Sequence, residues 1–136
     1  MDEADLKPVR KQYHSRQVGA DRHIWDVHRL IRASSDLNVD MIAVDAVAEA
    51  DENWWYAEAV PTPRSIASHV ALMNDVDPRH PIILCAEGRL MDGMHRVLKA
   101  IAEGRTHIPA VRFERTPAPD FVNVSLDDLP YPDETV

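Results

Sequence analysis

One segment of this 136-residue chain, Pro81 to Glu114 (PIILCAEGRLMDGMHRVLKAIAEGRTHIPAVRFE), constrains the fold more than any other. Ile82, Ile83 and Leu84 form a short apolar run closed by Glu87-Gly88, the pattern of a buried strand followed by a turn, and Leu90-Met91 resume the strand. Met94, Val97, Leu98 and Ile101 then recur at helical spacing, so a helix beginning near Asp92 packs one face on a core. Gly104 stands where such a helix needs a left-handed C-terminal residue. Ile108, Val111 and Phe113 close the unit as a second strand, with Arg112 turned outward. Strand, helix and strand in this order predict an α/β (α+β) domain, a small mixed sheet with packed helices.

The strand-to-helix turn is also where the chemistry concentrates. The first amides of a helix lack internal partners, and the aligned peptide dipoles leave partial positive charge there, so an anion such as phosphate suits the position. Gly93 lets a ligand or a neighbouring backbone approach without a Cβ in the way. Met94 contributes an amide, His95 and Arg96 lie in the first turn, and Arg96 has the planar fork that matches phosphate oxygens. Lys99, three positions on, can add charge to that face. Asp92 has two readings: a cap paired with Arg96 one turn later, or a catalytic carboxylate that orients a hydroxyl or holds Mg²⁺ beside a bound nucleotide. The candidate catalytic residues are therefore Asp92 and His95. Phosphoryl transfer would need a second acid, for which Asp45, Glu49, Asp51 and Glu52 are the candidates.

These residues resemble the signature of the ParB/sulfiredoxin-like superfamily, a D/G-G-x-H-R or related element at a strand-to-helix turn followed by a G-x-x-x-I-P-V-like strand. The matches are Asp92-Gly93-Met94-His95-Arg96 and the stretch from Gly104 to Val111. The resemblance extends upstream through a helix near 63–74 to a first strand near 39–48. It implies a ParB/sulfiredoxin-like fold that binds a nucleotide or other phosphate-bearing ligand, and relatives include nucleotide-binding domains, nucleases, sulfiredoxins and free-serine kinases. Departures narrow that range. Sulfiredoxins carry their reactive cysteine immediately before the His-Arg pair, where this chain has Met94, and the serine kinases carry a histidine there. Partitioning proteins of the superfamily continue into a helix-turn-helix domain, and Val136 comes too soon for one.

Outside the turn, a second helix start is written at Thr62-Pro63, with Thr as cap and Pro at the first helical position. Ile66, Val70 and Met73 mark the expected buried stripe of that helix. Arg64 and Ser65 are candidate phosphate contacts at its first turn, and His69 a turn later faces either the cleft or a packed or solvated surface. Residues 22–33 read as an amphipathic helix capped by Asp21, with Ile24, Val27, Leu30 and Ile31 on one face. Val39 to Ala48 alternates as a strand, although its alanines also suit a helix. Trp54, Trp55 and Tyr56 either stack on a base or pack within the protein or a subunit interface. Phe121 to Val124 is a short edge strand, and the Pro-rich acidic tail after it lies extended on the surface.

Composition bounds the rest. A 45% hydrophobic chain of this length buries one core, so a single domain is expected over 1–136: an arm and helix at 1–36, a family core at 39–114 and a tail at 115–136. No apolar run approaches the roughly 20 residues of a membrane span, and a single cysteine excludes an internal disulfide framework, which favours the cytoplasm. Cys85 reads as a small buried hydrophobe. The net charge of −8 opposes binding to nucleic acid, with Lys7, Arg10, Lys11, His14 and Arg16 as the one basic stretch that could reach it. Seven histidines without a helical pair beside a carboxylate predict no zinc site, and the expected cofactor is a nucleotide with Mg²⁺. Three function classes remain: a nucleotide-binding protein with phosphoryl-transfer or hydrolase activity, a ParB-like nuclease or nucleic-acid-binding module, and a non-catalytic homodimeric interaction domain.

Overall fold

The central unit has the order of elements its periodicity predicts, but the helix buries Met94, Val97 and Ala100, while Ile101, expected on the core face, is 49% exposed at its last turn. The computed structural model describes residues 12–56 and 59–130. In it, Ile82–Leu84 (β4) and Leu90–Asp92 (β5) form an antiparallel hairpin, Met94–Ala102 (α3) follows at once, and His107–Arg112 (β6) returns parallel to β4. Asp40–Ala43 (β3) pairs antiparallel with β6, completing a four-stranded mixed sheet in the order β3-β6-β4-β5. The alternation of strand side chains divides the core between the two faces. Ile82, Leu84, Ile108 and Ala110 meet Met94, Val97 and Ala100 of α3 on one face. Ile83, Cys85, Val111 and Phe113 meet Trp25 and Leu30 on the other. With both faces covered, the strands read as unbroken apolar runs.

The second face is covered in part by a hairpin the sequence reading did not find. Tyr13–Val18 (β1) and Asp21–Asp26 (β2) form a hairpin through Gly19-Ala20, with Gly19 at φ +60°, and Phe121–Val122 (β7) adds to β2. The fold is thus mixed α+β with two sheets, where one small mixed sheet was expected. The helix expected over 22–33 with Asp21 as cap is only its second half: Val27–Ala33 (α1), capped by the Asp26 carboxylate, which accepts from the His28 amide at 3.0 Å. Residues 21–26 pair with β1 instead, because a two-residue loop holding a left-handed glycine joins two six-residue strands in full register. Asp21 instead accepts a hydrogen bond from Asn123 at 2.9 Å.

Two further expectations need correcting. The strand predicted over Val39 to Ala48 ends at Ala43 and gives way to 3₁₀ turns at Val44–Ala46 and Ala48–Asp51, whose Val44 and Val47 plug the core beneath α3. The helix Pro63–Asp75 (α2) starts as predicted, with a reciprocal capping box between Thr62 and Ser65 and Pro63 at its first turn. Its expected buried stripe is absent: no residue of α2 is buried, and Ile66 and Val70 are 51% and 40% exposed. Lys99 ties the end of α2 to α3 by donating to the Val76 carbonyl at 3.2 Å, so its charge serves this junction. Phe121 and Val122 form the expected edge strand, and Leu129 of the tail is buried. Lys7, Arg10 and Lys11 of the basic arm, and the tail from 131 on, lie outside the described residues. Among the described residues no helix is long and apolar enough to cross a membrane.

Candidate functional site

Asp92, Gly93, Met94, His95 and Arg96 line a cleft of about 500 Å³, at the place where β1 of the smaller sheet meets β5 and α3 of the larger one. Most of the turn's charge is committed before any ligand arrives. Asp92 ends β5 and is buried, and the cap of α3 is Gly93 in a left-handed conformation at φ +116°. Arg96 folds back into the protein, donating to an Asp92 carboxylate oxygen at 2.6 Å and to the Pro81 carbonyl at 2.7 Å. Gln12 donates to the other Asp92 oxygen at 3.3 Å. Asp92 is thus paired with Arg96 as expected but is not the cap, which is Gly93, and Arg96 is a clamp on the strand ends more than an open fork.

Gly93 is also explained without a ligand. A Cβ there would come within 2.6 Å of the Ile82 Cγ2 and 3.1 Å of the Arg96 guanidinium. The close neighbour at this glycine is a side chain, that of Ile82, where a ligand or a backbone was expected, and the left-handed φ adds a second reason for glycine. Met94 is buried in the core beneath the 3₁₀ turns and touches the cleft wall. The first hydrogen bonds of α3 are donated by Arg96 and Val97, both to the Gly93 carbonyl at 3.0 Å, so the amides of Met94 and His95 precede the helical ladder.

The remaining chemistry comes from elsewhere in the chain. His69 of α2 and His95 of α3 meet ring to ring, Nδ1 to Nε2 at 2.9 Å. The indole of Trp55 lies over both, with ring centres 3.9 Å from His69 and 4.7 Å from His95 and tilts of 17° and 24°. Tyr56 meets His69 edge-on at 5.7 Å, and its hydroxyl lies 3.3 Å from Ser65 Oγ. On the opposite side His14 is stacked between Trp25 and Trp54 at 5.6 and 5.7 Å. Arg16 donates to His14 Nε2 at 3.0 Å. Burial first, and the charges of Arg16, Arg89 and Arg22 after it, lower the His14 pKa from 6.5 to about 3, so this ring is neutral at physiological pH.

Among the described residues the carboxylates lining the cleft are Asp75, Asp77 and Asp92. Asp77 is held by a bidentate pair with Arg79 at 2.6 and 2.9 Å. The acids proposed from sequence lie elsewhere. Asp45, Asp51 and Glu52 are exposed away from the cleft, and Glu49 is buried, accepting from the Leu90 amide at 3.1 Å. Arg64 and Ser65 also fall outside the cleft lining, Ser65 being engaged in the cap of α2. Cys85 is fully buried, as expected of a small hydrophobe. Its thiol donates to Glu87 at 3.2 Å, the main reason that carboxyl sits below its usual range. Among the described residues no group of three or more metal-binding side chains is gathered.

Sequence reasoning singled out His95 and named His69 and Trp55 without joining them. It missed Trp25, Asp75, Asp77 and His80 altogether. The one available signal was that Trp54, Trp55 and His69 all precede the motif turn within a single expected unit, and spacing alone does not say which rings converge. No family model, curated protein or solved structure matches the chain.

Proposed function

We propose that this chain binds a phosphate-bearing small molecule, a nucleotide being the leading ligand, in the cleft above the β5–α3 turn. The observation that carries the reading is the Trp55-roofed His69–His95 pair beside the first amides of α3. Two imidazoles can take up positive charge to meet a phosphate, and the Met94 and His95 amides are oriented by the helix they begin. The indoles of Trp54 and Trp55 offer flat apolar surface of the kind on which bases stack. The turn's resemblance to the ParB/sulfiredoxin-like signature points the same way. In this reading Asp92 and Arg96 shape the floor of the cleft, and His95 with His69 makes the contact originally expected of Arg96. Hydrolysis or phosphoryl transfer would use the same pair as its acid and base.

Thermal-shift measurements with ATP, CTP, GTP and ADP, each with and without Mg²⁺, test the reading. Stabilisation by at least one nucleotide is expected in the wild type, and its loss in both His95→Ala and Trp55→Ala. Stabilisation that survives both substitutions removes the proposed site. A nucleic-acid ligand is the weaker alternative, since three carboxylates line the cleft and the chain carries a charge of −8. The exposed Ile66 and Val70 on α2 favour a second reading, an interaction domain, for which light scattering should reveal a dimer.

A further inference from the structure

The geometry of the His69–His95 contact says more than that two histidines are close. Their ring centres lie 5.2 Å apart with planes tilted by 24°. With 2.9 Å between the facing nitrogens, that spacing leaves room only for the hydrogen bond and the two ring radii. The rings therefore meet edge to edge, nitrogen pointing at nitrogen. Two ligands of one metal ion would instead aim their lone pairs at a common point to one side. Two lone pairs cannot face each other at this distance without repulsion, so one proton lies on the line between them.

We propose that His69 and His95 form a single acid–base unit that takes up one proton, and only one, and presents the resulting charge to an anion in the cleft. In the neutral pair the donating ring has an unprotonated outer nitrogen and the accepting ring an outer N–H. A proton added at that unprotonated nitrogen gives a monocation with three N–H groups: one between the rings and one at each end, His69 Nε2 and His95 Nδ1. No other bond changes. A second added proton would place two positive rings nitrogen to nitrogen at 2.9 Å and destroy the hydrogen bond. The indole of Trp55 covers both rings, so it faces the monocation whichever ring holds more of the charge.

The charged neighbours of the pair in the cleft wall are held by partners of their own. Asp92 is tied to Arg96 and Asp77 to Arg79, while Tyr56 touches His69 by its edge. Across the cleft His14 stays neutral, and Tyr13, Asp75 and His80 are the other titratable groups of the wall among the described residues. The anion half of this inference rests on the phosphate-ligand reading above; the one-proton behaviour of the pair does not.

Side-chain ¹⁵N NMR of the full chain across the neutral pH range, with sulfate as the probe because its charge is constant there, separates the two. His69 and His95 are expected to titrate together, with a combined uptake of one proton. His69→Asn, which keeps an amide near the Nδ1 position, should move the midpoint of His95, and His95→Gln that of His69. Sulfate should raise the shared midpoint, and its affinity should fall roughly tenfold per pH unit above that midpoint. Independent titration of the two rings in the wild type, each taking a full proton and neither responding to substitution of the other, overturns the acid–base unit. Sulfate or nucleotide binding with no pH slope overturns it as well. Coupled titration with neither sulfate nor any nucleotide bound supports the unit and overturns the phosphate reading alone.

Discussion

Two polar pairs sit within one cleft and are built in opposite ways. Asp92 and Arg96 are four residues apart, come from one strand-helix junction, and are 4% and 7% exposed in their side chains. His69 and His95 are 26 residues apart, come from two helices, and stay partly open beneath Trp55. The first pair is charged and closed upon itself, so its Coulomb energy goes into holding the end of β5 against the start of α3. The second joins two rings through one nitrogen-to-nitrogen contact, and in the acid–base unit proposed above it carries at most one added proton. A motif that reads as a phosphate cradle can thus be mostly scaffold, with the adaptable chemistry supplied by a residue that local spacing does not single out.

The contrast can be broken most sharply by substitution. Asp92→Ala and Arg96→Ala each leave a buried charge without its partner and should cost about 3–5 kcal/mol in urea denaturation, whereas His95→Ala should cost well under half of that. Equal losses would erase the distinction. Next in size, Gly93→Ala forces a left-handed alanine against Ile82 and should cost about 1–3 kcal/mol from the backbone alone. Combining it with Ile82→Ala should cost less than the sum of the two, because the clash is shared.

A third prediction concerns acid. The folded state holds His14 neutral down to about pH 3, while the unfolded chain takes up the proton near 6.5. The stability that goes with the neutral ring is complete above 6.5 and falls as pH drops from there, at a limiting slope of about 1.4 kcal/mol per pH unit. His14→Gln should flatten the stability profile between those limits, as measured by denaturation at a series of pH values. An unchanged profile would mean that His14 is protonated in place. On binding, Trp55→Ala should weaken nucleotide affinity about tenfold, since stacking on one ring is worth about 1–3 kcal/mol. Smallest of all, Ile66→Asp on the exposed face of α2 should stay within about 0.5 kcal/mol of the wild type in the same urea assay.

The legible and illegible parts of the chain divide by the range of the interactions that decide them. The strand run at 82–84, the helix from Met94, the left-handed glycine at 104 and the cap at Thr62 each follow from neighbours within four residues. The hairpin of β1 and β2 was hidden because Ile24, Val27, Leu30 and Ile31 also fit a helical face, and only pairing with residues 13–18 decides between the two. The stripe of α2 misled for the converse reason. Its periodicity is genuine, yet no element of the described chain covers Ile66 and Val70.

By itself, then, the sequence determined the central strand–turn–helix–strand unit, the start of α2 and the burial of Cys85, because spacing, capping and left-handed glycines act over a few bonds. It also placed Asp92 and Arg96 together, one helical turn apart. Only the tertiary structure decided that their charges are consumed by each other and by Pro81, that Ile82 fills the space over Gly93, and that His14, His69, His95, Trp54 and Trp55 share one cleft. Those outcomes depend on side chains brought together across tens of residues by packing on two faces of a sheet, and no local pattern encodes which of them will meet.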